Sequence, residues 1–130
     1  MIHKSIKIGR WVADFLFAEK SYDEEEVLSF LYDADAPMSI LKRVSEIMHS
    51  GDQNTGFTYT NPSLHQAVVV VGPQSSGEEF VDTLIHEVHH FAVAVAANLG
   101  IDLEGETPAY IAGDSVKELT KIICKLGCKK

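Results

Sequence analysis

The chain has 130 residues, with 19 acidic against 11 basic side chains, a formal net charge of -8 and 45% hydrophobic content. This composition is too apolar for disorder and suits a single domain, 1–130, that buries about two-thirds of its unfolded surface. The acidic balance argues against nucleic acid and anionic membranes, whose recognition rests on clustered Lys and Arg. With no leader-like segment and no run of about 18 apolar residues, a cytoplasmic protein without a membrane span is expected.

In chain order, Ile6 to Ala18 is predicted as a strand. A buried helix is the alternative, because the apolar residues around Asp14 do not alternate cleanly. Asp23 followed by Glu24, Glu25 and Glu26 marks a helix start, with Val27, Leu28, Phe30 and Leu31 as its buried stripe. Pro37 opens a second helix carrying Ile40, Leu41, Val44, Ile47 and Met48, and Gly51 ends it. Phe57-Thr58-Tyr59-Thr60 alternates ring and hydroxyl, as a half-exposed strand does. The turn Asn61-Pro62-Ser63 joins it to the β-branched run Ala67–Val71, which predicts an antiparallel hairpin.

Ser76-Gly77-Glu78-Glu79 reads as a capping box opening a long helix to about Leu99, with Gly100 as its stop. Its second half, Phe91 to Ala97, is apolar on every side and is expected at the centre of the domain. After a loop from Ile101 to Gly105, Thr107-Pro108 starts a last helix to about Leu126. Lys117, Lys121, Lys125 and Lys129, with Lys130 beyond them, suit a solvated face at a helix end. Cys124 and Cys128, four apart, are expected to be reduced and structurally incidental, since two thiols alone make a poor metal site.

The chemistry concentrates in His86-Glu87-Val88-His89-His90, an HExxH pattern on the long helix. Four residues return a side chain to the same face, so His86 and His90 can grip one ion. Glu87, about 100° round, can address a water beside the ion without becoming a ligand. The alternative is a pair of core histidines satisfied by backbone or carboxylate, but burying this much polarity in five residues is costly without a metal. A catalytic zinc site takes three protein ligands and keeps one position open. Candidates for the third ligand are Asp102, Glu104, Glu106 and Asp114 downstream and His65 upstream. Glu106 is preferred, because Ala109 one turn later lets the two helices approach closely, and Glu104 is the runner-up.

These residues resemble the gluzincin branch of the zincin metallopeptidases, and more narrowly the small HExxH proteins of phages and bacterial mobile elements. The resemblance rests on Thr83-Leu84-Ile85-His86-Glu87 and on Gly105-Glu106-Thr107-Pro108-Ala109-Tyr110, and it covers about residues 57–113. It implies an α+β zincin-like fold, in which a small sheet of about three strands packs against the HExxH helix and a second, C-terminal helix. It supports His86, His90 and Glu106 as ligands of Zn2+. It implies a peptide or protein substrate, hydrolysed by a zinc-bound water that Glu87 activates as general base. Tyr110, His89 and His65 are candidates to hold the developing oxyanion. Two departures from larger gluzincins bear on proteolysis: the interval from His90 to Glu106 is short, and no separate domain forms the far wall of a cleft. A catalytically weak metal-binding or interaction module is therefore the second expectation. The strand at 57–60 or that at 67–71 is expected to offer an edge to an extended peptide. No oligomer is indicated.

Overall fold

The computed structural model describes residues 1–101 and 104–128. Its chain order begins with a hairpin, β1 (Ile2–Ile8) and β2 (Trp11–Phe17). Gly9 and Arg10 make the two-residue turn, and Gly9 takes φ of 60°, where a side chain would be strained. The predicted single strand from Ile6 to Ala18 is thus two strands. Next come the helices α1 (Glu24–Asp33) and α2 (Met38–His49), the hairpin β3 (Gly56–Asn61) and β4 (Gln66–Val71), and the long helix α3 (Gly77–Asn98). The chain ends with α4 (Glu106–Glu118) and α5 (Thr120–Gly127). The sequence predicts one last helix; the structure breaks it at Leu119, whose backbone (φ -99°, ψ 7°) leaves the helical region. The break turns α5 so that Leu119 and Leu126 both reach the core.

The architecture is α+β, with one four-stranded sheet in the order β1-β2-β4-β3 rather than three strands. β2 and β4 run parallel, and both hairpins are antiparallel. Helices cover both faces. One face, with Phe15, Phe17, Ala67 and Val69, packs against Phe80, Leu84, Val88 and Phe91 of α3 and against Ile111 of α4. The other face, with Leu16, Val68 and Val70, packs against Val27 and Leu31 of α1 and Val44 of α2. This double burial explains the uninterrupted run at 67–71: a strand covered on both faces has no solvent side for polar residues.

Local signals place the starts of α1 and α3 as the sequence predicts, whereas α4 begins at Glu106 with Gly105 as its cap, so Thr107 lies inside the helix and does not cap it. Asp23 accepts a hydrogen bond from the Glu26 N–H at 3.1 Å, and Ser76 Oγ accepts one from the Glu79 N–H at 3.1 Å. Gly100, at φ of 70°, follows the end of α3. The second half of α3 departs from expectation. Phe91, Ala92, Val95 and Ala96 are buried, but Val93 and Ala94 are half-buried and Ala97 is exposed. α3 therefore lies on the sheet with one side toward solvent instead of passing through the centre, and small alanines fill its outer face. Among the described residues no helix is long and apolar enough to cross a membrane. Cys124 and Cys128 are free and exposed. Lys129 and Lys130 lie outside the described residues.

Candidate metal centre

Strand parity decides what α3 meets. In β3, Phe57 and Tyr59 pair with Val70 and Val68 and share their face, toward α1 and α2. Gly56, Thr58 and Thr60 pair with Val71, Val69 and Ala67, so they share the face that α3 covers. The alternation of ring and hydroxyl thus sorts the strand: rings pack against α2, and hydroxyls face the HExxH segment. Gly56 makes the close approach possible. A Cβ there would lie 2.8 Å from the Val70 carbonyl oxygen and 3.0 Å from both Glu87 Cγ and Thr83 Cγ2, so no larger residue fits without displacement.

Within this contact His86 and His90 stand one turn apart, with Nε2 atoms 3.1 Å apart and rings at 81°. Both are exposed. At this distance one ring N–H donates to the other ring's nitrogen. Two imidazole nitrogens each about 2.0–2.1 Å from a tetrahedral zinc ion would lie about 3.3–3.4 Å apart, a few tenths of an ångström farther. Glu87 is the opposite case, a carboxylate only 4% exposed. Thr58 Oγ1 donates to Glu87 Oε1 at 2.9 Å, and its second approach, to the Glu87 backbone oxygen, is 3.3 Å. The second carboxylate oxygen has no donor among the described residues. His86, Glu87 and His90 line one open cavity of about 390 Å³ with Gly56, Phe57, Thr58 and Thr60.

The remaining predicted residues are not gathered there. Glu106 is the first residue of α4 and is exposed, and Tyr110 one turn later is 66% exposed. Neither lines the cavity. His65 sits in the β3–β4 turn at φ of 53°, edge-on to Trp11 with ring centroids 5.8 Å apart. Its carbonyl accepts from the Val12 N–H at 2.9 Å. His89 is exposed beside His90, with centroids 6.3 Å apart. Glu104 and Asp114 are exposed, and Asp102 lies outside the described residues. Among the described residues, no group of three or more His, Cys, Asp or Glu side chains is arranged to hold an ion. The geometry supplies two histidine donors and an adjacent buried carboxylate.

Two contributors escape the sequence reading, Gly56 and Thr58. Their signal was present in the strand's alternation, but nothing local says which face of β3 meets which helix. The sheet also decides between the two strands expected to offer an edge. β4 is paired on both sides, so only β3 offers a free edge on this flank. No protein family, curated protein or solved structure matches the chain.

Proposed function

We propose that the chain is a zinc-dependent hydrolase acting on peptide bonds, with His86 and His90 holding the ion and Glu87 as the general base. The observation that carries this reading is the position of Glu87. It is buried and held by Thr58, and it lies in the same cavity as two histidines whose Nε2 atoms converge. A site that merely bound metal would have no use for a buried carboxylate beside its ligands, since burying an ionised group is costly.

The ion, when bound, supplies Lewis acidity that makes water acidic near neutral pH and polarises a carbonyl. The chain's own residues do the rest. Thr58 anchors Oε1 of Glu87, which fixes the carboxylate and leaves Oε2 to accept the proton of a water in the cavity. After attack, the protonated Glu87 is placed to return that proton to the leaving amine. The outward edge of β3 supports an extended substrate lying across the cavity mouth. Glu106 is the proposed third donor, on the resemblance of its segment to the gluzincins and its place at the start of α4.

The second reading, a weak or inactive metal-binding module, is favoured by one observation: no third donor joins the histidine pair among the described residues. Elemental analysis of native protein, His86→Ala, Glu106→Ala and Glu87→Gln separates the two when combined with cleavage of a broad peptide library. The peptidase reading expects stoichiometric zinc in the native chain and in Glu87→Gln, loss of zinc in the other two, and cleavage by the native chain alone. Full zinc in Glu106→Ala removes that residue as a ligand. Zinc-loaded native protein that cleaves nothing leaves the binding-module reading.

A further inference from the structure

The free edge of β3 has a second wall. The hydrogen bond from the Gly72 N–H to the Thr55 carbonyl, 2.9 Å, marks Thr55 and Gly72 as a bonded pair. In an antiparallel ladder such pairs alternate, so Phe57, Tyr59 and Asn61 point their backbone groups at β4. The N–H and C=O groups of Gly56, Thr58 and Thr60 then point outward, and no backbone or side-chain group among the described residues bonds to them. A strand added here would alternate its side chains between the two faces of the sheet. The residue opposite Thr58 would project to the His86 side. Its neighbours, opposite Phe57 and Tyr59, would project toward α2.

On that side lies a cavity of about 290 Å³ between the rings of Phe57 and Tyr59 and Ile40, Val44 and Ile47 of α2, with Arg43 also on its wall. Gly56, Phe57 and Thr58 line both this cavity and the one at the histidines, so β3 is a ridge between them. Farther along, at the Gly56 end, a third cavity of about 420 Å³ is bordered by Glu46, Asp52 and Arg43. Asp82 stands across the ridge. On the α2 side two carboxylates, Glu46 and Asp52, face one guanidinium, Arg43, on a chain of net charge -8.

We propose that β3 and α2 form a peptide-binding groove whose occupant is an extended segment carrying an apolar side chain and, two positions along, a basic one. The apolar side chain fills the space between Ile40, Val44, Ile47 and the two rings. The basic one, on the same face because side chains repeat every second residue, reaches Glu46 and Asp52. α2 is thus the far wall that the sequence alone does not reveal. This rests on the peptide reading of the site but not on turnover.

The test uses the full-length Glu87→Gln chain and a positional library of capped heptapeptides on a threonine background, read by fluorescence anisotropy and by amide shifts in NMR spectra. The groove predicts at least tenfold tighter binding for Leu, Ile or Phe than for Asp at one position, and for Lys or Arg than for Glu two positions away. The amides of Gly56, Thr58 and Thr60 should shift and gain exchange protection. Ile40→Ala with Ile47→Ala should abolish the apolar preference, and Glu46→Lys with Asp52→Lys should reverse the charge preference. The second pair is on exposed positions and keeps the test valid if the first pair unfolds. Absence of binding, absence of either preference, or shifts confined to β1 would overturn the groove. Binding with the predicted preferences by a native chain that cleaves none of these peptides would leave the groove standing and sink the peptidase.

Discussion

The two halves of α3 obey different rules. From Phe91 to Ala96 the helix is an anchor: Phe91 is fully buried, edge-on to both Trp11 and Phe15, with Ala92, Val95 and Ala96 beside it. From His86 to His90 the same helix puts His86 and His90 into an open cavity and buries the Glu87 carboxylate next to the core residue Val88. The anchoring half spends its surface on packing, where each lost methylene costs stability. The chemical half is held in place by that anchor, by Leu84 and Val88 in the core and by the close approach at Gly56, so the remaining side chains are free to be chosen for reactivity. A rigid element built on one half and functional on the other is how a small domain keeps donors aligned.

The largest effect that would break this division is in the anchor. Phe91→Ala should lower the unfolding free energy by about 3–5 kcal/mol, measured by urea denaturation. A loss under about 1 kcal/mol would show that the apolar half is not what fixes the helix. In the chemical half, Glu87→Gln should reduce peptide hydrolysis by about 10²–10⁴-fold. Its stability should stay within about 1 kcal/mol of native, because the amide oxygen still accepts from Thr58. A variant that lost both in parallel would make Glu87 a packing residue. Between the halves stands Gly56→Ala, which crowds the Val70 carbonyl and Glu87 Cγ. It should cost about 1–3 kcal/mol by thermal or urea melting, as overpacking does, and unchanged stability would mean β3 and α3 are not tightly apposed. The smallest effect belongs to His86→Ala. The exposed histidine should leave metal-free stability within about 0.5 kcal/mol of native while zinc binding, followed by calorimetry, is lost.

A change in pH offers a check away from α3. Burial pushes the Tyr22 phenol above its usual value, opposed in part by its hydrogen bond with Thr55. Ionisation is thus harder in the folded chain than in the unfolded one. The associated stability is fully present below about pH 10 and declines as pH rises through the folded value. Tyr22→Phe should flatten that alkaline decline in melting temperature, and an unaltered decline would assign it elsewhere.

Much of this was legible in the residues themselves. Asp23 and Ser76 announced their helices because capping is a local hydrogen bond. His86 and His90 announced their proximity because helical spacing alone brings residues four apart together. The Ile6–Ala18 stretch reads as one strand, where the structure has two, because Gly9 and Arg10 carry too little turn signal to divide it. The last helix reads as unbroken because nothing around Leu119 but packing asks for the break.

Sequence therefore determined most of the elements, the caps of α1 and α3 and the donor pair, all of which depend on interactions within a few residues. Tertiary structure decided what lies opposite them. It placed β4 inside the sheet and β3 at its edge, brought Thr58 to Glu87 across 29 residues of chain, and set α2 beside the open strand. Those outcomes follow from burying two faces of one sheet at once, and no local pattern encodes which helix takes which face.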